Sequence, residues 1–175
     1  MNTKNNKRKK ASVEKIESAF MELLQTKNPG NITVSEICAM AKINRSTFYA
    51  NFIDIEDLGE KLKERLLEEF REVYKDEMKS RTNSNDYLKL FYHVKENQML
   101  YRAYFKLGAG FTEREMNYDP IQAEKYFGNK NIDYHIAFFY NGLNAIIKMW
   151  LEKGCAESPE EINGIIKSEY QGREV

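Results

Sequence analysis

Only 3 prolines and 9 glycines punctuate these 175 residues, so long helices are open to the chain and low-complexity architectures are excluded. Cysteine is nearly absent. Cys38 and Cys155 stand far apart, which rules out a disulfide framework or a thiolate metal site. Cys38, in Ile37-Cys38-Ala39-Met40-Ala41, reads as a small buried hydrophobe. There are 2 histidines, no Gly-rich phosphate loop and no cluster of metal ligands. The convergent acid, base or nucleophile set of an enzyme is therefore not expected, nor is a metal or cofactor. His93 and His135 read as packing or surface residues. No apolar leader precedes Lys7-Arg8-Lys9-Lys10, and the most apolar segment, 132–151, contains Asp133, His135, Asn141, Asn144 and Lys148. That segment reads as a buried helix rather than a membrane span, and a cytoplasmic protein is expected.

The chain also lacks net charge, with 27 basic and 27 acidic side chains. Their distribution is uneven. Residues 1–53 hold nine Lys/Arg against four Asp/Glu, a net of +5, and the remainder balances it at −5. A basic first third on an acidic body places any polyanionic partner at the first third.

What is present is helical periodicity. Ile16, Ala19, Phe20, Leu23 and Leu24 recur at the spacing of one helix face, and Asn28-Pro29-Gly30-Asn31 closes that helix with a turn. Three further starts follow. Thr33 with Glu36 forms a capping box, Asn44 is placed to cap the next helix, and Asp54 the one after. Each cap follows an isoleucine that can staple onto an apolar residue in the new helix: Ile32 with Ile37, Ile43 with Phe48, Ile53 with Leu58.

The helices at about 34–41 and 45–52 are joined only by Lys42-Ile43-Asn44, the spacing of a helix-turn-helix. Phe48 and Phe52, one turn apart, must face the core. At about 100° per residue, Ser46 and Ala50 then point outward, with Thr47 and Tyr49 on the flanks. Small outward residues let such a helix sit deep in a groove. Arg45, at its N-terminal end, can read guanine bidentately, while Thr47, Tyr49 and Ser35 are placed to hold phosphates.

The run from Thr33 to Phe52, followed by Glu56-Asp57-Leu58, resembles the DNA-binding signature of the TetR (tetracycline-repressor) class of regulators, most specifically in Thr47-Phe48-Tyr49-x-x-Phe52. The resemblance covers about residues 10–62. It implies that Thr47 and Tyr49 touch phosphate and that Arg45 and Ser46 lie in the major groove. It further implies a homodimer spanning a palindromic operator in double-stranded DNA, expected to be a repressor released by a small-molecule or protein effector. This chain departs from the pattern at Lys42, where the class often has glycine, at Ala50 and Asn51, where a basic or histidine pair is common, and at Ile55, where lysine is usual. Lys42 and the basic arm can hold phosphate in place of those customary residues. With Asn44, these residues complete the expected DNA-binding set. The competing reading is a dimeric interaction module that kept the fold and lost operator specificity.

The resulting expectation is an all-α protein of about nine helices: an N-terminal arm and helix-turn-helix domain over 1–54, and a helical regulatory and dimerising domain over 55–175. A fourth helix is expected over 55–80, two more at 86–96 and 98–108, and a short one at 121–127. The helix over about 131–153 has two apolar stripes. Ile132, Ile136, Phe139, Leu143, Ile146 and Trp150 form the first, and Tyr134, Phe138, Ala145 and Met149 the second. Such a helix packs on its own domain and on a twin, with Ile162 and Ile166 of the last helix joining the first stripe at the expected interface. Ser158-Pro159-Glu160-Glu161 announces that last helix. Sixteen of the 22 aromatics lie at or beyond Tyr87, and Tyr92, Tyr104 and Phe138 are the candidates for an effector site. The pattern Lys95-Glu96-Asn97, Asn141-Gly142-Leu143, Trp150-Leu151 and Ser158-Pro159 resembles a short-bodied branch of the class that includes dihydroxyacetone-kinase regulators.

Overall fold

The structure is a computed structural model describing residues 4–75, 87–112, 124, 128 and 130–171. Its described residues form eight α-helices. In chain order they are α1 (Lys4–Thr26), α2 (Val34–Ala41), α3 (Arg45–Tyr49), α4 (Ile55–Val73), α5 (Leu88–Glu96), α6 (Gln98–Lys106), α7 (Ile132–Glu152) and α8 (Pro159–Gln171). A 3-10 turn at Pro29–Asn31 joins α1 to α2. None of the described helices is long and apolar enough to cross a membrane. Apart from residue 124, which is helical, the short helix expected at 121–127 lies outside the described residues, as does the end of the fourth helix, 76–80.

The helices pack as two units, Met1–Leu66 with Met99–Ala109, and Leu67–Gln98 with Gly110–Val175. The first unit takes in the start of α4 together with α6. Gly59 of α4 lies beside Leu107, whose side chain a Cβ there would meet at 3.5 Å, an ordinary van der Waals contact. Leu100, Tyr101, Ala103 and Tyr104 of α6 are buried.

In the first unit Ile16, Ala19, Phe20, Leu23 and Leu24 of α1 form the buried face that the periodicity predicts. Glu17 lies on that face too, and its carboxylate is bonded by the Arg65 guanidinium of α4. A buried carboxylate needs such a partner. The capping box of α2 forms as expected: Glu36 N–H donates to Thr33 Oγ1 at 3.3 Å, and Thr33 N–H donates to Glu36 Oε2 at 3.0 Å. Lys27 bonds the same carboxylate, and together these donors hold the Glu36 carboxyl down at about 2.

Two sequence expectations fail here. Asn44 occupies the N-cap position of α3 in an extended conformation, but its side chain makes no cap bond, so the helix start rests on the Asn44 carbonyl accepting from Thr47 N–H at 2.9 Å. The third staple also does not close. Ile53 is 79% exposed, and its N–H donates to the Asp57 carboxylate at 2.9 Å, which fixes the chain's entry into α4 without apolar contact. The cap of α4 itself is as expected, with Asp57 N–H donating to Asp54 Oδ1 at 2.8 Å.

The second unit is centred on Trp150 of α7, 1% exposed, with the Phe91 ring of α5 edge-on at 5.9 Å. Phe70 of α4 stacks at a tilt on Phe111 at 5.3 Å. Helix α8 opens on a second capping box: Glu161 N–H donates to Ser158 Oγ at 3.1 Å, and Ser158 N–H to Glu161 Oε2 at 2.7 Å. Both cysteines are buried, and neither is in a disulfide.

Candidate nucleic-acid interface

Helix α3 has five residues, too few to persist alone, since isolated helices below about a dozen residues are marginal. Packing holds it. Phe48 is fully buried and Phe52 nearly so, their rings 5.7 Å apart. Phe52 lies beyond the last helical residue, so the helix is shorter than the expected 45–52. The apolar anchor is unchanged.

With that side fixed inward, Arg45, Ser46, Tyr49 and Ala50 are exposed, and Thr47 is half-buried on the flank. Ser35, at the second position of α2, is exposed as well. These residues do more than share a face. Arg45 Nη1 donates to Ser35 Oγ at 3.0 Å, and Arg45 Nη2 donates to Tyr49 Oη at 3.3 Å. The guanidinium carbon lies 5.9 Å from the centre of the Tyr49 ring. The Tyr49 ring in turn stands edge-on to buried Phe48 at 5.4 Å. The sequence places these residues near one another and gives no sign of the bonds between them.

The remaining candidates divide. Lys42 ends α2 with φ 54° and ψ 50°, the left-handed conformation that glycine takes most readily, and its side chain is exposed. Asn44 is exposed, its side chain turned from capping duty. Asn51 is half-buried, and its Nδ2 donates back to the Thr47 carbonyl at 2.7 Å. It is tied back to α3 rather than presented outward. Lys61 is a residue that the sequence pattern does not single out. Its ammonium donates to the Asn51 carbonyl at 3.3 Å and to Asp57 at 2.9 Å, and lies 5.1 Å from the Phe52 ring centre. No local motif marks a lysine that reaches back ten residues. The Lys7-Arg8-Lys9-Lys10 run is exposed along α1 rather than a tail outside a helix.

Of the three aromatics expected at an effector site, Tyr104 belongs to the first unit and Tyr92 and Phe138 to the second. Tyr104 is buried in the first unit, beside Phe105 at 5.7 Å. In the second unit Tyr92 is exposed, and its hydroxyl is bonded to the Glu160 carboxylate. Phe138 is 60% exposed on α7.

The residues expected at the dimer interface differ in exposure. Leu143, Trp150, Ile162 and Ile166 are buried within their own chain, so they have almost no area left to give a partner. Ile132, Ile136, Phe139 and Ile146 are half-buried, and Phe139 stacks on Tyr87 at 5.3 Å. The exposed apolar residues of α7 belong to the second stripe: Tyr134, Phe138 and Met149 are 77%, 60% and 51% exposed. The buried face of α7 runs through Leu143, Ile147, Trp150 and Leu151, of which only Leu143 and Trp150 belong to the first stripe.

Comparison with known proteins agrees with this architecture. Residues 81–169 match the TetR family model described as the transcriptional regulator C-terminal region. Over 96 residues the chain is 33% identical to the HTH-type dhaKLM operon transcriptional activator DhaS of Lactococcus lactis, an alignment covering 55% of this chain. It spans about half, 50%, of that relative's length. A solved structure of the dihydroxyacetone kinase operon activator DhaS superposes with a TM-score of 0.52 at 22% identity, covering 91% of this chain and 96% of the other, which shows a shared fold. With a family model matching half its length and a head that carries the helix-turn-helix arrangement, the chain belongs to the TetR-type family of transcriptional regulators.

Proposed function

We propose that this chain is a sequence-specific DNA-binding regulator that acts as a homodimer on an inverted-repeat operator in double-stranded DNA. The observation that carries the reading is the exposed face of α3. Arg45, Ser46, Tyr49 and Ala50 stand outward while buried Phe48 and Phe52 lock the helix from behind. Arginine at the N-terminal end of a recognition helix meets base edges, small residues let the backbone approach, and flanking hydroxyls meet phosphate. Two such heads in a two-fold dimer address two half-sites about one DNA turn apart. The exposed stripe of Tyr134, Phe138 and Met149 supports self-association, since apolar patches of this kind on a body surface mark contact sites.

Sequence resemblance implies repression, whereas the relatives above are named as activators; that likeness favours activation as the second reading of the output. A small-molecule or protein effector acting on the second unit completes the proposal, and its place of action is the cytoplasm, with the DNA.

Selection of bound duplexes from a random library by the purified chain tests this. Enrichment of an inverted repeat is expected. A folded dimer that enriches nothing, and whose binding falls steeply with salt on every duplex, would instead be an interaction module without operator specificity. Transcription from the selected site, with and without the protein, separates repression from activation.

A further inference from the structure

The Arg45 guanidinium is held at two points before any DNA is present. Ser35 Oγ of α2 accepts from Nη1 at 3.0 Å, and Tyr49 Oη at the end of α3 accepts from Nη2 at 3.3 Å. Among the described residues no carboxylate lies in ion-pair range of Arg45, so the charge is steered by neutral hydroxyls and left uncompensated. We infer that Ser35 and Tyr49 are positioning residues for Arg45, and that they set base discrimination as well as backbone affinity. This rests on the proposed reading of α3 as the recognition helix.

The donor inventory makes the double role possible. A hydroxyl has one O–H to donate and two lone pairs to accept. Arg45 occupies a lone pair on each, leaving the O–H of Ser35 and of Tyr49 free in direction to donate to a phosphate. A guanidinium has five N–H donors, so two spent on these hydroxyls leave enough for the bidentate pairing with a guanine edge. Hydrogen bonds in series polarise one another, so a phosphate that takes the Ser35 proton strengthens the bond from Arg45. A free arginine side chain must also lose rotamer freedom on ordering. Holding it in advance reduces that loss at the moment of binding. Tyr49 is itself fixed by its edge-on contact with buried Phe48, so the chain of constraint runs from the core to the base-reading group.

A plain phosphate contact and a positioning residue differ in one measurable respect. Loss of a phosphate contact weakens binding uniformly across sequences. Loss of positioning narrows the difference between the correct base pair and a wrong one. The experiment uses the full chain and the operator it selects, with the base pair read by Arg45 identified as the position where Arg45→Ala abolishes preference. Affinity for that operator and for its single-base variant is then measured for the wild type, Ser35→Ala, Ser35→Thr and Tyr49→Phe. Ser35→Ala and Tyr49→Phe are each expected to lower the discrimination ratio about three- to tenfold, a part of what a bidentate pair supplies. Ser35→Thr, which keeps the hydroxyl, is expected to restore the ratio to within about twofold. Equal weakening on both duplexes, with the ratio unchanged, overturns the positioning role and leaves the regulator reading intact. A wild type that selects no sequence overturns that reading, and this inference with it.

Discussion

The side-chain amide of Asn144 on α7 satisfies both backbone polar groups of Phe111: Nδ2 donates to the Phe111 carbonyl at 2.9 Å, and the Phe111 N–H donates to Oδ1 at 2.9 Å. Gly110 leaves room for this, because a Cβ there would sit 3.2 Å from Nδ2. The pairing fixes the Phe111 ring, which is buried against Phe70.

Replacing Asn144 by alanine removes this pair of bonds from a partly buried place. With about 1–3 kcal/mol for each unsatisfied buried group, discounted for partial water access, the expected loss is about 2 kcal/mol. Urea unfolding should show a lower midpoint at constant slope. A loss under about 0.5 kcal/mol would mean that water replaces the amide without cost.

Lys42 carries the opposite sign. Its left-handed backbone at the end of α2 (φ 54°) is costly for a residue with a Cβ. Lys42→Gly is expected to stabilise the head by about 0.5–1 kcal/mol, the relief of strain being partly offset by the greater freedom of glycine in the unfolded chain. If the lysine also meets a DNA phosphate, the same variant lowers the salt slope of binding by about one. Stabilisation with an unchanged slope would remove Lys42 from the interface and leave its conformation as the whole effect.

The helices are legible in the sequence where local chemistry fixes them. Thr33 with Glu36 and Ser158 with Glu161 are capping boxes in both sequence and structure, because a box is closed by residues three apart. Phe48 and Phe52 likewise announce which side of α3 is buried. The misses are of another kind. Ile53 matches the staple pattern yet is exposed, since the Asp57 carboxylate captures its N–H instead. The two stripes of α7 are both apolar, and the buried face runs through Leu143, Ile147, Trp150 and Leu151, two of which lie on neither stripe; periodicity does not say which apolar face is core. The Arg45 bonds to Ser35 and Tyr49, and the reach of Lys61 to Asn51, depend on rotamers that the local pattern does not specify.

Glu36 makes the head sensitive to acid. Its carboxyl is held at about 2 against an ordinary 4.5, first by the bond from Lys27 and then by those from Thr33. The folded value lies below the unfolded one, so the unfolded chain binds more protons in between. The stabilisation is therefore fully present above about 4.5 and is lost as pH falls toward about 2. Glu36→Gln keeps an acceptor for the box and removes the charge. Wild type should be the more stable at neutral pH, and the gap should close progressively below about 4.5. A gap that stays constant down to pH about 2 would show that Lys27 and Glu36 do not act as a charged pair.

Phe138 and Trp150 lie on the two stripes of α7, and they separate core from contact. Trp150 is buried, with its Nε1–H donating to the Glu157 carbonyl at 3.2 Å. Trp150→Ala should cost about 3–5 kcal/mol of folding stability, because it opens a cavity, while the Glu157 carbonyl keeps its bond from Lys95 Nζ at 3.2 Å. Phe138 is 60% exposed, so its replacement should change the stability of the isolated chain by no more than about 0.5 kcal/mol. If the exposed stripe is where two copies meet, Phe138→Glu buries a charge at each contact and should raise the dimer dissociation constant at least about tenfold. Sedimentation velocity across a concentration series reads this directly, and weaker operator binding should accompany it, since each half-site alone holds one head. A Phe138→Glu protein that dimerises like the wild type would move the interface off this stripe and leave Phe138 to another partner.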